Sequence, residues 1–353
     1  MQVRVTREQG ADVDDALDTL FPTEPYLTYS NFRPITERPD ALRQLHQRRL
    51  HAAADDIGLL VARDKNGRAL GCVPLRHRGF DSAHFGVPIA GIEAPLAVSE
   101  EELRLPALRE IYRAAIDLVM TQGYRHVTAQ SSSHDRVTCW VLQELGAFYV
   151  GTKISWMQQL TGWPHTPELQ KALRIEMYDR SNIHQLPRSS WQRLHEWSGK
   201  AFDRGPYVFD LTVAYDRALA LYQLWTSRAM TGESGDVLLV VRDRDEVVAY
   251  HSMMLLEDVS EAAGVRILGR GIGGTLPEYQ GLFTALQKQC ATMQPLAAGF
   301  LENETQASTV ATINVFGKLG HQCLRSTATF HKCLDDPPQR RRLQELAESR
   351  VTG

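Results

Sequence analysis

Residues 271–290 read GIGGTLPEYQGLFTALQKQC, a glycine-rich segment, a Pro-Glu-Tyr-Gln-Gly turn and an amphipathic stretch. The segment 265–276, VRILGRGIGGTL, predicts a strand, PEYQG a turn, and LFTALQKQCATM a helix. Phe283, Leu286, Cys290 and Met293 recur at helical spacing and give that helix one apolar face. Glycines at 271, 273 and 274 let a ligand or another chain approach the backbone closely. The unpaired N–H groups at the helix start, around Gln280–Ala285, favour an anion such as phosphate. A turn of this kind can also do no more than end a strand, so its surroundings decide its meaning.

Those surroundings occur twice. Residues 59–64 read LLVARD and residues 238–243 read LLVVRD; each is followed by a charged turn and a second apolar run, ALGCVPL or VVAYHSMML. Both predict β-hairpins. Residues 137–146, VTCWVLQELG, are echoed by 311–320, ATINVFGKLG, each after a short strand and before another (FYVGTKISW; TATFHKCL). The closing glycines suit helix ends. The two echoes are offset by nearly the same length, which two copies of one α/β unit explain. The stretch 161–172 holds two prolines and predicts a linker between a first unit over 1–160 and a second over 173–335. Residues 336–353 form a polar tail, expected to be a solvated helix.

Composition limits the partners. The chain has 353 residues, net charge −3, 43% apolar and 23% charged residues. That balance gives no footprint for nucleic acid or an anionic membrane. MQVRVTREQG carries no apolar leader and no apolar run reaches membrane-spanning length, so neither export nor a span is expected. The five cysteines are scattered without metal or disulfide spacing and read as reduced thiols of a cytoplasmic protein with no metal.

The order hairpin, strand, TLPEYQG turn, helix, strand, helix ending in glycine, strand resembles the GNAT superfamily of acyl-CoA-dependent N-acyltransferases. Their phosphate loop reads Gln/Arg-x-x-Gly-x-Gly/Ala; Gln280-Gly281-Leu282-Phe283-Thr284-Ala285 matches its first and last positions, with Phe283 in place of the internal glycine. Pro277, Tyr279 and Gly281 also stand where the family has them. The resemblance implies an α/β fold with a mixed sheet in two tandem GNAT-like domains. It also implies acyl-CoA held by Gly273, Gly274, Thr275 and the loop Gln280–Ala285. The helix PALREIYRAAIDLVMTQG of the first unit follows the polar, glycine-free run Ser99–Leu105, whose acidic side chains would repel a pyrophosphate. The first copy is therefore expected to be degenerate, with one CoA per chain.

Three further stretches resemble the branch that acylates amino sugars: 80-FDSAHFGVPIAGI-92, the run 202–230 with its Tyr-x-x-Trp, and Thr305-Gln306. They nominate Asp81, Ser82, Phe85, Tyr222, Thr305 and Gln306 for the acceptor side, with Trp163, Trp191 and Trp197 as aromatic platforms. Core packing by Phe80, Phe85, Ile89, Tyr222 and Trp225, with Asp81 and Ser82 capping a turn, is the competing reading.

The chemistry needs an acceptor for the amine proton and a donor for the thioester oxygen, the latter expected from the backbone at Gly273–Thr275. Candidate bases are His195, ranked first, then Glu304, Glu302 and His251. Many relatives protonate the leaving thiolate with a tyrosine, whereas counting back from Gly320 puts Phe316 at that position, beside the cofactor. Three functions stay open: transfer of an acetyl or longer acyl group to an amino sugar, free on a nucleotide carrier or on a natural product such as a glycopeptide antibiotic; a non-catalytic CoA-binding relative; and an aminoacyl-tRNA-dependent transferase. The protein is expected to act as a monomer or homodimer on a small-molecule or glycoside amine.

Overall fold

A computed structural model describes residues 2–23, 32, 35, 36, 38–160, 172–201, 205–269, 271–293 and 295–335. Most of the expected linker, with Trp163, and the expected tail lie outside the described residues.

The first half of the chain supplies β1 (Arg4–Glu8), α1 (Ala11–Leu20), α2 (Pro39–Ala54), the hairpin β2 (Gly58–Arg63) and β3 (Ala69–His77), and α3 (Gly79–Phe85). Then come β4 (Ile89–Ile92), β5 (Leu96–Ala97), α4 (Glu101–Thr121), β6 (His126–Ser132), α5 (Arg136–Glu144) and β7 (Phe148–Gln159). The second half supplies β8 (Leu173–Asp179), α6 (Arg188–Ala201), α7 (Pro206–Phe209), α8 (Tyr215–Met230), the hairpin β9 (Val237–Asp243) and β10 (Glu246–Leu255), and α9 (Glu257–Ala263). It continues with β11 (Ile267–Gly269), β12 (Gly273–Thr275), α10 (Leu282–Met293), β13 (Phe300–Gln306), α11 (Val310–Lys318) and β14 (Gln322–Cys333). The echoed helices end as their glycines predict: Gly146 and Gly320 take φ 81° and 69° just past α5 and α11. Asp135 caps α5 by accepting from the Thr138 N–H and hydroxyl.

One mixed sheet runs through the whole molecule in the order β1-β2-β3-β4-β6-β14-β7-β13-β11-β10-β9-β8, with β5 added on β3 and β12 on β10. The order is a palindrome of the two halves. The strand before the last in each half is flanked by the other half's closing strand: β6 pairs with β14, and β13 pairs with β7. At the centre β7 and β14 pair antiparallel, from Gln322 opposite Met157 to His331 opposite Phe148. The halves have thus exchanged their last strands, and neither part of the sheet is completed by its own sequence.

Two apolar cores lie along this sheet. One gathers Leu17, Leu59, Val73, Leu108, Ile111, Val141 and Phe330; the other gathers Leu194, Leu239, Tyr250, Leu268, Leu286 and Leu301. A third cluster joins α2 to α9 through Leu42, Leu45, Val259 and Ile267. A fourth joins α3 to α7 and α8 through Phe85, Ile89, Tyr207, Ala218 and Leu221. Among the described residues no helix is long and apolar enough to cross a membrane.

Candidate active site

The strand expected over 265–276 is two strands. β11 runs parallel to β13 at Ile267–Phe300 and Leu268–Leu301, then the chain leaves that partner. Among the described residues β12 pairs only with β10, through Thr275–Ala249, Gly274–Tyr250 and Gly273–His251. Ser252 causes the break. Its N–H donates to the Ile272 carbonyl at 2.8 Å, and its hydroxyl accepts from the Ile272 N–H at 3.1 Å. Gly271 is what allows that approach, since a Cβ there would stand 1.5 Å from the Ser252 carbonyl oxygen. A wedge-shaped cleft opens between β12 and β13.

The turn after β12 closes the wedge's upper end. Pro277–Tyr279 form a single 3-10 turn. Gly281 follows at φ 102°, a conformation that glycine adopts without strain, with no neighbour within 4 Å of where a Cβ would be. Three contacts pin the turn. The Tyr279 hydroxyl donates to Asp243 at 2.6 Å, the Trp197 indole N–H donates to the Thr275 carbonyl at 3.1 Å, and Arg193 pairs with Glu278. α10 therefore starts at a fixed place, and its first N–H groups belong to the loop Gln280–Ala285, the Thr284 N–H among them donating to the Gly281 carbonyl at 3.0 Å.

Within the cleft the structure brings His251, Gly273, Phe283 and Phe316 together. A Cβ on Gly273 would stand 2.9 Å from Phe283 Cε2 and 3.1 Å from His251 Cδ2. The His251 and Phe283 rings are 5.7 Å apart, Phe283 and Phe316 6.2 Å. Behind them lies a buried polar relay that sequence reasoning missed. The Asn303 amide donates to Gln287 Oε1 at 3.1 Å, and Gln287 Nε2 donates to His251 Nδ1 at 3.2 Å. That direction makes Nδ1 an acceptor and leaves the imidazole proton on Nε2. Full burial, with His321 nearby, pushes the His251 pKa down to about 4, so the ring is neutral. His321 stacks on Phe316 at 4.8 Å; burial likewise pushes its pKa down to about 4. The periodicity of α10 could have flagged Gln287, the one polar residue on a buried helical face.

No family model matches the chain, and no curated protein matches it. Solved structures do match over almost its full length, two of them as follows. A GCN5-related N-acetyltransferase from Sphaerobacter thermophilus superposes with TM-score 0.58 at 14% identity, covering 94% of this chain and 95% of that one. A GCN5-related glucosamine N-acetyltransferase region of a fungal multi-domain GH3 β-N-acetylglucosaminidase superposes with TM-score 0.56 at 13% identity, covering 94% of this chain and 38% of that one. The fold is that of the GCN5-related N-acetyltransferases.

The remaining candidates fall at other places on this acetyltransferase fold. Glu302 is 5% exposed on β13, where a Cβ on Gly269 would stand 3.1 Å from its own Cβ. Glu304 lies nearer the strand's outer end; burial raises its pKa, but Lys153 at 2.9 Å and Arg325 outweigh this and hold the carboxylate below its ordinary value. Thr305 and Gln306 continue that end, opposite Ile154 and Lys153. His195 is half-buried on α6 with its ring 6.0 Å from Trp191; burial and Arg188 lower its pKa.

A second locus gathers the residues of the FDSAHFGVPI segment. The Tyr207 hydroxyl donates to Asp81 at 2.8 Å, Ser82 accepts the Ile89 N–H, and Phe85 packs 4.7 Å from the Tyr207 ring. Tyr222 is buried against Trp225 at 5.2 Å. Together they fasten α7 and α8 to the first half.

The first half repeats the split of the strand: β4 pairs with β6 over four positions, Ile89–His126 to Ile92–Ala129, and among the described residues β5 pairs with β3 and not with β6. What differs is the helix start that follows. α4 begins at Glu101 rather than at Pro106, which sits inside the helix, so the run Glu101–Leu105 is helical and not a leading loop. Its buried Arg104 donates to the Ala97 and Val98 carbonyls and to Asp135 at 2.5 Å, filling the place where a loop would open.

Proposed function

We propose that this protein is an acyl-CoA-dependent N-acyltransferase with one CoA site, the cleft of the second half, and an amino sugar as acceptor. The observation that carries the reading is the divergence of β12 from β13 beside a fixed helix start, with His251 and Gly273 at its apex. In the antiparallel pairing of β12 with β10, Ile272 and Leu276 bond toward β10, so alternation turns the Gly273 and Thr275 N–H groups toward the cleft. These amides are the donors for the thioester oxygen as charge develops on it. The amides at the start of α10 hold the pyrophosphate, and Phe283 takes no polar part.

His251 fits a donor better than a base. A neutral imidazole with its proton on Nε2 can stabilise the oxyanion or the departing sulfur. Glu302, near the point where β11 parts from β13, is the acceptor for the amine proton, directly or through one water. Glu304 is occupied by two cations. The neutral amine attacks the thioester carbon, and CoA leaves as a thiolate, which the ordinary thiol pKa near ~8.5 permits at neutral pH. The second locus shapes the acceptor side by holding α7 and α8 in place. Support for an amino sugar comes from the resemblance of the FDSAHFGVPI segment and from the glucosamine N-acetyltransferase region that shares this fold.

The test is thiol release from acetyl-, octanoyl- and decanoyl-CoA with glucosamine-bearing acceptors. Acceptor-dependent release is expected. CoA binding without turnover on any amine would make the protein a CoA sensor, and failure to bind CoA would overturn both readings.

A further inference from the structure

Beneath the second locus, three side chains from distant parts of the sequence converge in the interior. His126 opens β6, Asp210 follows α7, and His331 lies in β14; they are 5%, 1% and 1% exposed. Their donor atoms all lie within 4.8 Å of one another. Asp210 Oδ2 is 2.7 Å from His331 Nδ1 and 3.3 Å from His126 Nε2. We propose that His126, Asp210 and His331 bind one divalent transition-metal ion of the zinc type, which clasps the exchanged strand β14 and strand β6 to the α7–α8 segment.

The donor set is chemically apt. Two imidazoles and one carboxylate suit zinc, with a water completing four ligands. Bonds of 2.0–2.2 Å in a tetrahedron hold ligand atoms roughly 3.3 Å apart; the Asp210–His126 spacing already has that value, the Asp210–His331 spacing needs to open by about half an ångström, and the two imidazole nitrogens, within 4.8 Å of each other, complete the set by a small ring movement. Asp210 is oriented as metal-bound carboxylates are. Its Oδ1 accepts from the Thr212 N–H at 2.9 Å and hydroxyl at 2.6 Å, which turns Oδ2 toward the two rings. His126 Nε2 is buried and makes no hydrogen bond among the described residues, although it lies 3.3 Å from that oxygen. Tyr207 and Phe148 flank His331 at 4.9 and 6.4 Å.

The repeat supplies an internal control. His126 pairs with Cys333 as Phe300 pairs with Gln159, and His331 pairs with Phe148 as Met157 pairs with Gln322. The counterparts of the two histidines in the other half are therefore Phe300 and Met157. Packing at these positions needs nothing polar, so the histidines serve something other than the sheet.

The experiment uses the full chain, stripped with a chelator, dialysed and reloaded with zinc chloride. Elemental analysis after gel filtration should find one zinc per chain, and the melting temperature should rise by several degrees. Cobalt(II) loading should give the visible absorption of a four-coordinate site. The double variant His126→Phe/His331→Met copies the other half and should stay folded while its zinc affinity falls at least 100-fold. Less than a tenth of an equivalent of zinc in the wild-type chain, no cobalt spectrum and an unchanged melting temperature would overturn the proposal and leave a hydrogen-bonded His–Asp–His cluster. Zinc retained by the double variant would overturn it equally.

Discussion

Gly273 and Phe283 meet across the mouth of the cleft: a methyl group on Gly273 would stand 2.9 Å from Phe283 Cε2 and equally close to the Tyr250 carbonyl oxygen. A strand glycine thus makes room for the phenyl ring that replaces a loop glycine. Gly273→Ala should lower kcat/KM for acyl transfer at least tenfold, which corresponds to about 1.4 kcal/mol. Phe283→Gly should change the Kd for CoA by less than about threefold, because backbone amides make the contact. Steady-state kinetics and calorimetric titration check the pair; a tenfold loss of affinity in Phe283→Gly would show that the ring itself binds.

Gly281 is required for its backbone conformation alone, as open space surrounds it and its φ is 102°. Gly281→Ala should cost about 1–2 kcal/mol of local strain and weaken CoA roughly tenfold by turning the first α10 amides. Calorimetry with CoA measures this, and unaltered affinity would place the pyrophosphate elsewhere.

The two glutamates of β13 should separate in kinetics. Glu302→Gln is expected to lower kcat by about 100-fold or more, within the range of lost general-base catalysis. Glu304→Gln should leave kcat within about threefold, since Lys153 and Arg325 already hold that carboxylate as an anion. Equal losses in both would assign the proton transfer to neither.

Arg104 and Asp135 seal the first half. Arg104→Ala leaves a buried carboxylate without its cation and should destabilise the fold by about 3–5 kcal/mol in urea titrations. CoA stoichiometry should stay at one per chain wherever the variant is folded. A second bound CoA would show that the first half keeps a latent site.

Acid should unfold the protein earlier than its carboxylates alone require. Burial lowers the pKa of His46, His251 and His321 from 6.5 to about 4. The unfolded chain then binds more protons than the folded one between those values, so stability falls as pH drops from 6.5 toward 4. Each histidine contributes about 1.4 kcal/mol per pH unit in that window. Urea midpoints at pH 7 and 5 measure the effect, and His251→Gln should flatten the dependence. Acyl transfer should show no ionisation of His251 between pH 5 and 9; a limb near pH 6.5 that vanishes in His251→Gln would contradict the buried, neutral ring.

Much of this was legible in the order of residues. Hairpins, echoed helices and their glycine ends follow from local periodicity and turn chemistry, and LLVARD against LLVVRD revealed the repeat. The break at Gly271 was not legible, because it depends on Ser252 reaching across from β10. Nor were Gln287 and Asn303 recognisable as a relay, since nothing local to either residue tells which histidine they face. Asp81, Ser82 and Phe85 were singled out for the acceptor side; in the structure Asp81 and Phe85 contact Tyr207 and fasten one half to the other, which no local pattern in the sequence announces.

The sequence by itself determined the two α/β units, the asymmetry between the polar start of α4 and the glycine turn before α10, and the position of the helix start that suits an anion. These rest on contacts within a few residues. Only the tertiary structure decided that β7 and β14 change places, that His251 is neutral with its proton on Nε2, and that His126, Asp210 and His331 share one buried point. Strand pairing energy is nearly blind to which half supplies the strand, and burial, which sets charge and tautomer, is a property of everything packed around a residue.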